Sequence, residues 1–92
     1  MTDRDKELYQ LAIEIGFFMD SIAQQRKYSS TESCVSYMHS TVAQWKSEAA
    51  VFSAWRDSSW TRITPIIDSL QPTDPVPTIS ELVAILPGIV WP

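Results

Sequence analysis

Between residues 3 and 26 the chain carries two apolar rows, where a helix packed on one side needs one. Leu8, Leu11, Ala12, Ile15, Phe18, Met19 and Ile22 recur at the three-and-four spacing of a single helical face. At about 100° per residue, Tyr9, Ile13 and Phe17 form a second row turned well away from the first. A helix with two faces to cover belongs in a bundle. A single domain of 92 residues, however, buries only roughly 60 to 65 % of the surface that its unfolded chain exposes. The first row is therefore expected in the core, and the second is either further core or a contact surface for another chain. Thr2 or Asp3 can cap this helix, and Asp3, Asp5 and Glu7 lie where its dipole favours negative charge. Gly16 in its middle suggests close approach of a neighbouring helix.

The rest of the chain is also helical in pattern. Ser29 with Glu32 has the form of a capping box and opens a short helix over about 31–39, whose apolar positions are Cys34, Val35, Tyr37 and Met38. Ser40 or Thr41 can start the next helix, where Trp45, Ala49, Phe52, Trp60 and Ile63 fall on one side with Arg56 among them. Pro65 predicts a kink rather than a stop, because Ile66, Ile67 and Leu70 keep helical spacing, so this helix spans about 42–70. "QPTDPVPT" is a stiff connector, and Thr78 with Glu81 caps a last helix over about 79–86 that Pro87 and Gly88 end. "IVWP" then runs extended. No stretch alternates long enough to be a strand. The expectation is an all-α domain over residues 1–92: a compact bundle of three to four helices, whose extended final segment either folds back on the core or reaches a partner.

Composition excludes several functions. Eleven acidic against seven basic residues give a net charge of −4, which repels nucleic-acid phosphates and anionic lipid head groups. No apolar run is long enough for a membrane span of about 20 residues. The single Cys34, and the lack of a charged-then-apolar leader, fit a reducing cytoplasm. Cys34 and His39 point about 140° apart on a helix, so they make neither a nucleophile pair nor, at two ligands, a zinc site. Gly16 and Gly88 are too few for a phosphate-cradling loop. No catalytic residue, cofactor or metal is expected.

Two features remain open between packing and binding. Arg56 sits on the apolar stripe; it can pack its stem and send its head to water, stack on an indole, pair with Glu48 or anchor a partner. Four Trp could form a stacking platform for a nucleic acid or a sugar, but such platforms for nucleic acid come with positive charge. Trp45, Phe52, Trp60 and Trp91 are therefore assigned to structure, and Tyr9, Ile13, Phe17 and Arg56 to partner contact.

The stretches "RKYSSTESCVSY", "SEAAVFSAWRDSSW" and "PTISELVAILPGIVWP" resemble a group of small proteins and C-terminal domains encoded among the tail and tail-fibre genes of tailed bacteriophages and prophages. The matching positions are Arg26, Tyr28, Ser30, Ser33, Cys34, Ser36, Tyr37, Glu48, Ala49, Phe52, Trp55, Arg56, Trp60, Pro77, Leu86, Pro87, Trp91 and Pro92. The Trp-Arg helix and the closing Leu-Pro-x-x-x-Trp-Pro are similar to those of tail-fibre assembly chaperones. That resemblance implies a non-enzymatic helper in the host bacterial cytoplasm, with an apolar fibre or other tail protein as partner. It also implies that Trp91 latches onto the third helix near Trp60 and Ile63. The alternatives are a structural component of the virion tail or baseplate and a small inhibitor of a host protein, with a homo-oligomer compatible with any of them.

Overall fold

A computed structural model describes residues 2–92 and, among them, contains four helices and no strand. The all-α expectation holds. Helix α1 spans Asp3–Gln24, α2 Thr31–Val35, α3 Ala43–Asp68 and α4 Ile79–Ile85. The body measures 50 × 22 × 19 Å, and α3, at 26 residues, runs along most of its length.

Each helix begins where a side chain can accept a backbone N–H, with one exception. Thr2 and Asp5 form a reciprocal capping box on α1, and Thr78 accepts from the N–H of Glu81 on α4. On α2 the cap is Ser30 rather than Ser29, accepting from Ser33 at 3.1 Å. Asp20 of α1 reinforces it by accepting from the N–H of Thr31 at 2.8 Å. The exception is α3, whose cap position is Val42 and has no side-chain bond; Ser40 instead accepts from the N–H of Val42 itself.

Helix α2 is shorter than its sequence pattern suggests. After Val35 the chain turns through i→i+3 bonds, Tyr37 to Cys34 and Met38 to Val35, while the Ser36 hydroxyl donates to the carbonyl of Ser33. Serine competes with helical bonding in this way, and a tight turn replaces the last helical turn. Helix α3 continues through Pro65 to Asp68, and the Ser69 N–H donates to the Pro65 carbonyl at its end.

The core is assembled from one narrow row of α1, Leu11, Ile15, Met19 and Ala23, set against Phe52, Trp55 and Ile63 of α3 and Leu82 of α4. Tyr28 and Cys34 close the end near α2. The buried face of α3 is rotated by roughly 50° from the stripe that the apolar pattern marks, half a residue step at 100° per residue. As a result Trp55 is the buried indole, 6 % exposed, whereas Trp45 and Trp60 are 44 % and 37 % exposed. Trp55 earns the interior because its N–H has an acceptor there, the Pro87 carbonyl at 2.7 Å. Trp45 instead packs edge-on against Tyr37.

The segment after α4 runs back along α3. Arg62 donates to the Ile85 carbonyl, Trp55 to that of Pro87, and Trp91 stacks on Phe52 with centroids 6.2 Å apart and planes 15° from parallel. Trp91 therefore latches onto α3, but at Phe52 rather than near Trp60 and Ile63. Its N–H donates to Gln25 Oε1 at 3.1 Å, which draws it toward the end of α1. Replacing Trp91 with Ala should cost about 2 kcal/mol and lower Tm by about 10 °C. Thermal melts followed by circular dichroism check this, with Val90→Ala, at a position 83 % exposed, as the neutral control.

Candidate functional site

At the closed end of the body, α1 leaves its helix through a residue in the left-handed region, Lys27 at φ 69°. The Tyr28 N–H reaches back to the Ala23 carbonyl and the Lys27 N–H to that of Gln24, the bonding of a Schellman turn. Glycine ordinarily takes this position, so Lys27 costs about 1 kcal/mol there. The turn aims Tyr28 inward, where its hydroxyl donates to Glu48 Oε1 at 2.9 Å. Arg26 pairs with Glu48 Oε2 at 3.2 Å and lies 5.4 Å from the centre of the Trp91 ring. Glu48, only 3 % exposed, is thus held by two partners from the turn that follows α1.

Around this pair lies a cleft of about 350 Å³ lined in part by Lys27, Tyr28, Tyr37, Gln44 and Trp45. Burial, then the hydrogen bond to Glu48 and its charge, hold the Tyr28 phenol well above its usual pKa, so it stays a donor. Cys34 is fully buried behind it. Burial, followed by the negative charge of Glu48, pushes its thiol up to about 11. A thiol so reluctant to ionise is a poor nucleophile. His39 is exposed on the turn after α2, so the thiol and imidazole share no pocket. Among the described residues no group of three or more His, Cys, Asp or Glu could hold a metal, and no helix is long and apolar enough to cross a membrane.

The outer face of α1 is apolar and open. Tyr9 and Phe17 are 63 % and 69 % exposed, and Ile13 between them is half-buried. Beside this row α1 and α3 leave a groove, divided by Trp60 into a hollow of about 170 Å³ lined by Leu11, Ala12, Ile15 and Ile67 and one of about 370 Å³ lined by Gly16, Met19, Asp20 and Arg56. Gly16 does not serve close helix approach: a Cβ placed there would meet nothing within 4 Å. It lowers the groove's bank instead. Arg56 does not reach Glu48, which Arg26 and Tyr28 already occupy; its nearest carboxylate is Asp57 of the same helix, 3.7 Å away and mostly exposed. Such a surface pair adds little to stability, and the guanidinium stands at the edge of the larger hollow.

Of the four partner-contact residues, Arg56 lines the larger hollow with Trp60 and Gly16, while Tyr9, Ile13 and Phe17 stand on the outer face of α1. The cleft around Glu48 lies elsewhere. Of the residues that line it, Arg26, Tyr28, Ser33, Tyr37 and Glu48 carry a signal in the sequence through the tail-protein resemblance, and Trp45 through the apolar stripe of the third helix. Against models of known protein families, curated proteins and solved structures, the chain finds no match.

Two outcomes follow from the closed end. Glu48→Ala leaves a buried phenol and a guanidinium without their acceptor and should lower stability by about 2–3 kcal/mol, with Glu48→Gln costing about half as much, read from urea midpoints. The unfolded thiol ionises near 9.0 while the folded one keeps its proton to about 11. Above pH 9 the unfolded state therefore binds fewer protons, and stability, complete below that pH, falls as pH rises toward 11. Urea midpoints at pH 8 and pH 10 should show this fall, and Cys34→Ala should remove most of it, the remainder coming from Tyr28, whose phenol ordinarily ionises at 10.0.

Proposed function

We propose that this chain is a non-enzymatic helper in phage tail or tail-fibre assembly, acting by protein contact. It holds an apolar stretch of a fibre or other tail protein against the outer face of α1 and the groove beside it. The observation that carries this reading is the exposure of Tyr9 and Phe17, at 63 % and 69 %, on a helix whose other face is fixed in the core. Large aromatic side chains on a rigid element are the usual anchors of protein interfaces. Trp60 and Arg56, residue types enriched at such anchors, border the same groove. The tail-gene resemblance supplies the kind of partner.

Co-expression with a fibre protein encoded beside it tests the reading. The wild-type chain should raise the yield of soluble fibre protein and co-purify with it. Exchanging both Tyr9 and Phe17 for Gln should weaken capture at least about tenfold, while leaving helical content and Tm unchanged. Unaltered fibre solubility in the presence of the wild-type chain would overturn the assignment.

A further inference from the structure

The outer face of α1 is spaced symmetrically about one residue. Ile13 stands at its centre; Tyr9 and Phe17 lie four residues to either side, and Lys6 and Asp20 seven residues to either side. All five fall within an arc of about 80° at 100° per residue. A two-fold axis through Ile13, passing between two antiparallel copies of α1, would set each Tyr9 against the other copy's Phe17. The same axis would set each Lys6 against the other copy's Asp20, about 10 Å along the helix from the axis. Both ends then carry opposite charges. A parallel pairing, by contrast, places Lys6 on Lys6 and Asp20 on Asp20.

The groups concerned are available. Among the described residues the only ion pairs are Arg26 with Glu48 and Arg56 with Asp57, so Lys6 is unpaired and exposed. Asp20 uses one oxygen, Oδ1, on the N–H of Thr31. The bare bank at Ala12 and Gly16 leaves room beside the row for a second helix to approach.

We infer that, when no client is bound, this face is covered by a second copy of the chain, in an antiparallel dimer centred on Ile13. The dimer rests on the pattern of α1, and only its role, shielding the client-binding row, rests on the assembly reading above. The contact is small. The exposed parts of two aromatic rings per copy, with their neighbours, bury roughly 800–1,000 Å² in total, at the low end for specific interfaces. The dimer is therefore an exchangeable one, with a dissociation constant in the micromolar range, which a client with a larger apolar surface displaces.

Sedimentation of the full chain across concentrations tests this. A concentration-dependent monomer–dimer equilibrium is expected, weakened at least about 30-fold by Phe17→Glu at an exposed position. Lys6→Asp and Asp20→Lys, each alone, should be monomeric, because each places two like-charge pairs in its own dimer. An equimolar mixture of the two should dimerise, since every pair is then opposite in sign. Circular dichroism of Asp20→Lys confirms that loss of its bond to Thr31 leaves the helices in place. A chain that stays monomeric at about 500 µM, far above a micromolar dissociation constant, overturns the inference. So does a dimer indifferent to Phe17→Glu, or a mixture that stays monomeric. Fibre solubility is read separately: a dimer that fails to raise it keeps this inference and removes the assembly role, and a monomer that raises it does the reverse.

Discussion

Arg26 ties three separated stretches of chain into one end of the fold. It sits on the exit turn of α1, pairs with Glu48 of α3 and spreads its guanidinium over Trp91 of the final segment. A carboxylate 3 % exposed is costly unless it is paired and hydrogen-bonded. Arg26 and the Tyr28 hydroxyl together meet that condition. The requirement explains why a lysine tolerates the left-handed region at residue 27: only that turn sends Tyr28 back into the core directly after Arg26. About 1 kcal/mol of backbone strain is small beside a buried carboxylate left without partners.

The other end of α1 is held by a second arginine. Arg4 donates to the carbonyls of Gln71 and Asp74 in the proline-rich connector, binding the start of α1 to the far end of α3. A helix fixed at both ends and along its inner row has little freedom left in its outer face. Side chains presented from such an element lose less entropy on binding than they would from a loop. The outer row is in this sense pre-organised, whatever covers it.

Much of this architecture was legible in the residues. Helix α1, the cap at Thr78 and the extended final segment follow from periodicity and capping chemistry, which act locally. Long-range partners decided the rest. Trp55 and Trp60 differ little in local pattern, but only Trp55 faces a carbonyl, that of Pro87, and this acceptor lies 32 residues away in the chain. The same limit hid the true acceptor of Arg26. Helical spacing put Glu48 near Arg56, whereas the tyrosine and arginine that hold Glu48 come from a turn 20 and 22 residues earlier. For the outer row of α1, periodicity defined the face but left its occupant open, since core and interface use the same side chains. Ser59 carries no such signal: fully buried, with no hydroxyl partner among the described residues, it is a polar residue at a core position of α3.

The outer row stays open because the other described elements are engaged elsewhere. A compact monomer of this mass exposes roughly 5,400 Å², whereas this one exposes 5971 Å². The excess comes from shape: α3 extends the body to 50 Å, while α2 and α4, with five and seven residues, span only part of that length. Helix α4 adds Leu82 to the core, and the segment beyond it is committed to Trp55 and Phe52 on α3. Among the described residues, no element lies over the far side of α1. The flanking positions are polar, and Gln10 donates to Glu14 at 3.3 Å. Two aromatics and an isoleucine at four-residue spacing, bounded by opposite charges, instead make a face suited to another helix, and its charges match when that helix is α1 reversed.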